Sequence, residues 1–345
     1  MPKITLEEAQ AAHDRCLIVD GHNDTPVEHV HRGDRPMDLK RRDLAYHMDI
    51  PRMREGGFDA GFFVVGNGPT ANVRVTLEQT LASVELYPDD LMLVFSSRDV
   101  ERARTSGRIG ILLTIEGAGR WLEGEMDTLR LYHRLGVRCI GITHGEGGDD
   151  PSLLQGSRSS FGPCTPVERD RERRNAVGLT DFGRSVLEES NRLGIITDLA
   201  HINDKAFYEV LEQSSLPVTM THTAAFSVCN HWRCLTDDQL RALAGVGGVM
   251  GIAFLPGFID PENPSVDRMV DHICHVADLV GIDHVGVGSD YDGMGSQTPV
   301  FGDVSKLVRL TRAMLARGLT ENEIRKVWGG NFLRLFRQTL DRGQA

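Results

Sequence analysis

The sequence predicts an α/β protein of the (β/α)8 class, a TIM barrel that is distorted by long insertions. Short apolar segments alternate with longer amphipathic ones, eight short segments of this kind occur, and polar residues follow most of them. The 345 residues suit one barrel or two ordinary domains, and we expect a single barrel domain over residues 1–345. Near-continuous apolar strands indicate a parallel sheet covered on both faces, with an open doubly wound sheet as the alternative.

The predicted strands are short and rich in apolar residues. They cover Cys16–Gly21, Asp59–Val65, Ile109–Ile115, Val137–Thr143, Ile195–Leu199, Val218–Thr221, Gly248–Phe254 and Val285–Gly288. The predicted helices cover Leu77–Tyr87, Thr128–Leu135, Thr180–Leu193, Asp204–Gln213, Asp237–Ala244, Ser265–Val280, Val304–Ala316 and Glu321–Leu340. Thr180 and Thr236 stand at helix starts, and Thr320 with Glu323 three residues later has the spacing of a capping box.

Two long connections interrupt this alternation of strands and helices. They span residues 24–58 and 145–178, and both are longer than the usual loops between elements. Insertions that follow the strands of a barrel lie on its catalytic face, so we expect these two to form walls or lids over the site. The charged run Glu168–Arg174 is interpreted as a solvated loop or helix face.

The composition excludes several classes of protein. Acidic residues outnumber basic ones by 49 to 38, and the net charge of −11 argues against a nucleic-acid binder, because phosphate binding needs a basic surface. The six scattered cysteines are interpreted as free thiols rather than a disulfide framework. Apolar stretches reach only strand length and the first residues lack the apolar core of a secretory signal. We therefore expect a cytoplasmic protein that does not contact membranes.

Side chains that bind metals or transfer protons follow six of the eight predicted strands. They are His22 with Asp24, Glu116, His144, His201, His222 and Asp290. The carboxyl ends of barrel strands meet on one face, where the active sites of such barrels are built. Imidazoles and carboxylates without thiolates are typical of catalytic rather than structural zinc sites. The sequence therefore predicts a catalytic metal centre.

Three of these residues have a spacing or a chemistry of their own. His22 and Asp24 are two residues apart, and such residues point to the same side of an extended chain, so both can bind one cation. Glu116 has two carboxylate oxygens and can bridge two cations. Many two-metal barrels use a carbamylated lysine as the bridge, but none of the five lysines follows a predicted strand. Glu116 is the remaining candidate for a side-chain bridge.

Motifs along nearly the whole chain carry a family resemblance. They are Val19–Asp24, Ile115–Gly117, Gly141–His144, Gly178–Gly183, Glu189–Gly194, Asp198–His201, Thr221–Ala224, His231–Arg233 with Leu235–Asp237, Gly286–Gly293 and Gly329–Arg334. In this order and spacing they resemble the membrane dipeptidase (renal dipeptidase) family, peptidase family M19, a branch of the amidohydrolase-like metal barrels. Any one motif is short, and the order and spacing make the resemblance specific.

The resemblance implies a cofactor of two Zn²⁺ per chain, bridged by Glu116 and a hydroxide. His22 and Asp24 would hold the first ion, and His201 and His222 would hold the second. Two cations about 3.5–4 Å apart lower the pKa of a shared water and stabilise both oxygens of the transition state. Such a hydroxide would be the nucleophile.

The resemblance also implies roles for three further residues. Asp290 would take the proton of the hydroxide and pass it to the leaving amine, because amide hydrolysis needs an acid for the departing nitrogen. His144 would face the substrate carbonyl and stabilise the oxyanion. Arg233 would bind the terminal carboxylate of a dipeptide, since a guanidinium matches a carboxylate bidentately.

The predicted function is a zinc dipeptidase that acts on L-Xaa-L-Xaa or L-Xaa-D-Xaa dipeptides and is compatible with a homodimer. Residues 145–150 depart from the family pattern, so the alternative is a metal-dependent hydrolase of another carboxylate-bearing amide or of a pathway-specific intermediate. A third hypothesis is a barrel that keeps its metals but serves in binding or assembly. Asp290 speaks against the third, because a binding site needs no proton shuttle.

Overall fold

The strands of the protein form one parallel sheet, as seen in a computed structural model that describes residues 4–67, 72–144, 164–175 and 177–342. Along the barrel they follow the order β1-β2-β4-β5-β6-β7-β8-β9, with β3 outside this path. Their bounds are β1 Val19–Asn23, β2 Ala60–Gly66, β3 Leu91–Leu93, β4 Ile109–Ile115, β5 Val137–Gly141, β6 Ile196–Asp198, β7 Thr219–Thr223, β8 Val249–Ile252 and β9 Val285–Val287.

The first and last strands meet and nearly close the ring. Asn23 forms a parallel bridge with Tyr291, and the amide of Asp24 donates to the Tyr291 carbonyl at 2.8 Å. On the same seam, the Asp20 carboxylate accepts from the amide of Ser289 at 2.6 Å and from its hydroxyl at 2.8 Å. The predicted (β/α)8 barrel is therefore confirmed, and the open doubly wound alternative is wrong.

All eight predicted strands coincide with barrel strands, but β3 was missed. Its three residues, Leu91–Leu93, are too few to show a period. They pair with Ile109–Ile111 at the start of β4, before β5 pairs with Leu113–Ile115. The short strand β3 thus pairs with the first residues of β4, where β4 has no pairing with β5.

The helices alternate with the strands around the outside of the barrel. Their bounds are α1 Leu6–His13, α2 Thr25–His31, α3 Ile50–Glu55, α4 Val73–Leu86, α5 Ser97–Ser106, α6 Ala118–Leu122, α7 Met126–Arg134, α8 Pro166–Asn175, α9 Asp181–Leu193, α10 Asp204–Gln213, α11 Asp237–Gly245, α12 Pro256–Ile259, α13 Val266–Val280, α14 Val308–Arg317, α15 Glu321–Arg325 and α16 Asn331–Gln338. Short 3₁₀ turns cover Ile282–His284 and Val304–Lys306. Thr180, Thr236 and Thr320 cap α9, α11 and α15 as predicted.

Two expectations about helical segments need correction. The predicted helix Glu321–Leu340 is divided into α15 and α16 by a π-helical turn at Lys326–Gly330. At this turn Gly329 lies so close to β1 that a Cβ would come within 2.4 Å of the Leu17 carbonyl oxygen. The charged run after Pro166 does form a helix. Its described side chains are exposed except that of Arg169, which is buried and pairs with Asp204 at 2.9 Å.

Aromatic residues fill one part of the core. The Phe332 and Phe336 rings of α16 each lie 5.4 Å from the ring of Phe62 on β2, measured between centroids. Gly21 and Gly286 leave room for the Phe332 ring, because a Cβ at either position would approach it to 2.7 or 2.8 Å. Phe332 therefore packs against β1, β2 and β9 at once, and Gly21 directly precedes His22.

The two long connections differ in how much of them can be described. Residues 24–58 contain α2 and α3, and the backbone amide of His47 and the hydroxyl of Thr25 each donate to Asp292 at 2.7 Å. This connection therefore lies beside the segment that follows β9, as expected for a wall of the site. The proposed wall at 145–178 falls largely on residues 145–163 and 176, which lie outside the described residues.

Candidate metal centre

The residues that follow the barrel strands meet in one buried cluster. Three groups of them have ligand atoms that all lie within 4.8 Å of one another. The groups are His22, Glu116 and His222; Glu116, His144 and His201; and His22, Asp24 and Asp290. The structure therefore brings together all seven side chains that the strand ends predicted.

Glu116 lies at the centre of this cluster. Its Oε1 atom is 3.0 Å from Nε2 of His201, 3.5 Å from Nε2 of His222 and 3.8 Å from Nε2 of His22. Its Oε2 atom is 3.5 Å from Nε2 of His144. Yet Oε1 is buried and accepts no hydrogen bond from any residue that the structure describes. Four imidazole nitrogens around one carboxylate, without hydrogen bonds to its inner oxygen, are a donor set that could hold a cation.

The contacts around Asp24 and His222 also fit metal ions. Oδ2 of Asp24 is 3.2 Å from Nε2 of His22, while its Oδ1 accepts from the side-chain amide of Asn67 at 2.9 Å. Across the cluster, the Nε2 atoms of His201 and His222 are 3.2 Å apart. Nitrogen and oxygen donors without a thiolate suit zinc and similar divalent ions. The residues present therefore fit the predicted kind of cofactor.

Burial and neighbouring charges shift the pKa values in the cluster in opposite directions. Burial acts to raise the pKa of Glu116, but His144, His22 and His201 hold it well below its usual range. Burial acts to lower the pKa of His22, but Glu116 and Asp24 raise it to about 10. Burial, together with the nearby His22 and Arg233, lowers the pKa of His222 well below its usual range. Glu116 is thus an anion and His222 a neutral imidazole, as metal ligands must be, whereas His22 holds a proton that it would release when a metal ion binds.

Asp290 differs from the other carboxylates of the cluster. Burial, with the charges of Asp24 and Glu116, raises its pKa to about 7, against the opposing influence of His22 and Arg233. A carboxyl group with this pKa can gain and lose a proton near neutral pH.

The backbone around the cluster is held in strained conformations. His201 and Asp290 have φ values of 65° and 62°, in the left-handed region that non-glycine residues rarely adopt. At Gly293 a Cβ would lie 2.3 Å from Oδ2 of Asp24 and 2.5 Å from Oδ1 of Asp290. The absence of a side chain at Gly293 therefore lets these two carboxylates approach each other.

Arg233 reaches the cluster from the loop that follows β7. It is buried, its Nη2 donates to Nε2 of His222 at 3.0 Å, and its guanidinium lies 5.3 Å from the centre of the Phe258 ring. Nδ1 of His231 accepts from the backbone amide of Arg233 at 3.2 Å. The guanidinium of Arg169 donates to the carbonyl of Trp232, which ties α8 to the same loop.

The residues that the sequence does not single out lie one layer further from the centre or directly after β2. Asn67 follows the second predicted strand, so the strand-end rule could have found it, but amides are weak metal ligands. Thr221 was assigned only to the strand before His222. Ser289 was part of a motif without a role, although its hydroxyl contacts Asp20 at 2.8 Å. Only their hydrogen bonds distinguish these residues from ordinary core positions.

A parallel barrel with a buried cluster of imidazoles and carboxylates at its strand ends defines a metal-dependent hydrolase. Within that class, residues 6–344 match the family model of membrane dipeptidase, peptidase family M19. The chain therefore belongs to the membrane dipeptidase family and is a metal-dependent hydrolase of the dipeptidase type, as the motifs indicated. Among the described residues, no helix has both the length and the apolar character needed to cross a bilayer.

Three relatives illustrate the match. The chain is 33% identical over 344 residues to the dipeptidase tcpJ of Claviceps purpurea, covering 93% of this chain and 77% of that protein. A metallopeptidase from Rhodobacter sphaeroides, solved with a phosphinate mimic of L-Ala-D-Ala, is 28% identical with a TM-score of 0.77, over 93% of this chain and 99% of that one. The probable dipeptidase PvdM of Pseudomonas aeruginosa shares the fold, with a TM-score of 0.81 at 21% identity over 98% of both chains.

Proposed function

We propose that the protein is a binuclear zinc dipeptidase that hydrolyses dipeptides with a free terminal carboxylate. The observation that carries the proposal is the Glu116 carboxylate, whose two oxygens face imidazole nitrogens from four strand ends. A bridging carboxylate needs the ligands of both ions close by. His22 and the pair His201 and His222 all lie 3.0–3.8 Å from its Oε1 atom.

The two ions would be held on either side of Glu116. His22 and Asp24 would bind one ion, and His201 and His222 would bind the other. When bound, two zinc ions supply an activated water and polarise the carbonyl of the scissile amide. The buried position of all these ligands strengthens the charges that act on a substrate, because water screens them little.

Two residues would handle the proton and the charge of the reaction. Asp290, with its pKa near 7, accepts a proton and returns it to the amine that leaves. The side chain of His144 is 20% exposed, more than any of the proposed metal ligands, so a substrate carbonyl can approach it. Its Nε2 atom also lies 3.5 Å from Oε2 of Glu116, so a substrate carbonyl beside the proposed metal bridge would be within its reach.

The substrate would be recognised through Arg233. The lone pair of His222 Nε2 now accepts from this guanidinium, and a cation bound to that lone pair would free the N–H donor for another acceptor. A peptide carboxylate is an acceptor of the right shape and charge. The R. sphaeroides relative binds a mimic of L-Ala-D-Ala, which supports L,D dipeptides as the first substrates to test.

Replacing Arg233 with methionine is expected to raise KM for a dipeptide by about 100-fold, because a buried carboxylate would lose its charged partner. The same dipeptide with an amidated terminus should be a poor substrate for the wild type and equally poor for the variant. KM and kcat for both substrates, with the zinc content of each enzyme, provide the measurement. Arg241→Met, on the exposed face of α11, is the matched control.

Two results would redirect the proposal. Equal cleavage of free and amidated dipeptides by the wild type would mean that Arg233 does not bind the terminal carboxylate of the substrate. Bound zinc without cleavage of any dipeptide would favour the alternative, a hydrolase of another carboxylate-bearing amide. The metal site would stand in either case, because its ligands do not include Arg233.

A further inference from the structure

The hydroxyl of Thr221 contacts two imidazoles of the metal cluster at Nδ1, while their Nε2 atoms are near Glu116. The residue is fully buried on β7, and its Oγ1 atom is 2.6 Å from Oδ2 of Asp198 on β6. The same oxygen is 3.0 Å from Nδ1 of His222 and 3.4 Å from Nδ1 of His22 on β1. One oxygen atom thus connects three strands and contacts two of the proposed metal ligands.

The direction of these hydrogen bonds follows from counting donors and acceptors. The Asp198 carboxylate is an acceptor, and it also receives the backbone amides of Thr221 at 2.9 Å and Ala200 at 3.0 Å. The single proton of the Thr221 hydroxyl therefore points to Asp198. Its two lone pairs are left for the two imidazoles, so both imidazoles must donate to it through Nδ1–H.

This pattern determines which nitrogen of each ring is free. In the neutral rings that bind a metal, a proton on Nδ1 leaves the lone pairs of His22 and His222 on Nε2, 3.8 Å and 3.5 Å from Oε1 of Glu116. A metal ion binds an imidazole only through a free lone pair, and the partner of the other nitrogen sets the tautomer and the ring orientation.

We propose that Thr221 is a shared positioning residue, held by Asp198, that fixes the metal-binding tautomer of His22 and His222 together. The proposal rests on the two-metal site proposed above, in which these imidazoles bind different ions. Nδ1 of His201 has no hydrogen-bond partner among the described residues. The network therefore serves one proposed ligand of each ion, and its loss should weaken the binding of both ions.

The test is the affinity of the protein for zinc, measured by competition with a chelator of known affinity. Thr221→Val keeps the shape of the side chain but removes the hydroxyl, and we expect both zinc ions to bind about 10–100-fold more weakly. Thr221→Ser restores the hydroxyl and should bind zinc within about threefold of the wild type. The serine variant thus separates the effect of the hydroxyl on zinc affinity from the effect of the side-chain volume.

Thr219→Val is the matched control on the same strand. Its hydroxyl is also buried, but it donates to the carbonyl of Val249 at 2.8 Å rather than to a group of the metal network. Thermal denaturation of the metal-free proteins should show a similar loss of stability for both valine variants. Only Thr221→Val should lose zinc affinity.

A second substitution tests the direction of the hydrogen bonds and does not depend on the folding of the valine variant. In Asp198→Asn the amide oxygen is held by the two backbone amides, so the new NH₂ group donates to Thr221. The Thr221 hydroxyl must then donate to Nδ1 of one imidazole. That nitrogen accepts only with a free lone pair, so the proton of the ring moves to Nε2, where the metal would bind. We expect a loss of zinc affinity of about 10-fold or more, without a change of shape.

The outcomes separate this proposal from the proposed function. Two zinc ions bound to wild type and to Thr221→Val with equal affinity would overturn the role of Thr221 and leave the dipeptidase intact. Weaker binding in Thr219→Val to the same extent would also overturn it. If the wild type bound no zinc at all, the two-metal site itself would be wrong.

Discussion

Asp290→Asn is expected to lower kcat for dipeptide hydrolysis by about 10²–10⁴-fold while both zinc ions stay bound. Burial of this carboxyl group, together with the charges of Asp24 and Glu116, raises its pKa to about 7, where it can exchange a proton during each turnover. An asparagine fills the same space but has no ionisable group. The amine would then have to leave without a proton donor. Departure of an unprotonated amine is a difficult step in amide cleavage.

A change of leaving group makes this prediction specific. The corresponding ester substrate releases an alcohol that needs less help from an acid, so the variant should lose less activity toward it. The measurement is kcat for the matched amide and ester, with zinc quantified in each preparation. Asp181→Asn, at a fully exposed carboxylate, is the control. An Asp290 variant with full zinc content and amide kcat within threefold of the wild type would exclude the proposed proton transfer.

The Glu116→Gln variant is expected to lose metal from both positions. Its activity should fall by more than about 10³-fold. Glutamine removes the negative charge among four imidazoles and offers one acceptor oxygen instead of two. Its NH₂ group would also point a donor at a metal or at an imidazole nitrogen 3.0–3.8 Å away. A bridge is thus changed into a group that can bind one ion at most.

The metal content of the Glu116 variant is measured by elemental analysis after dialysis at fixed free zinc. Glu188→Gln, at an exposed position of α9, controls for loss of a carboxylate elsewhere. One ion retained at wild-type affinity would show that Glu116 serves a single site, and two retained ions would show that it is not a ligand.

The strand ends were the most informative part of the sequence. The barrel and the assembly of the seven side chains could be predicted because parallel strands end on one face, so position along the chain implies position in space. The structure brings His22, Glu116 and His222 together from widely separated parts of the sequence. The roles of these residues, the single domain, the homodimer and the cytoplasmic location stay predictions.

Features that depend on tertiary contacts could not be predicted from the order of residues along the chain. The charged neighbours of Arg169 predict a solvated side chain, yet it is buried and binds Asp204 and the Trp232 carbonyl. The π-helical turn in the last helix lies where Gly329 packs against the Leu17 carbonyl, a contact that no local pattern encodes. Thr221 carries no signal of its own, since a threonine in a strand is usually structural.

Zinc stoichiometry combined with dipeptide turnover tests the central claim most directly. The wild-type protein would be assayed with L,L and L,D dipeptides as purified, after chelation, and after stepwise return of zinc. We expect two zinc ions per chain, loss of cleavage on chelation, and recovery that is complete only when the second ion is bound. Less than one zinc per chain after zinc is returned, or cleavage that chelation leaves unchanged, would contradict a two-metal hydrolase.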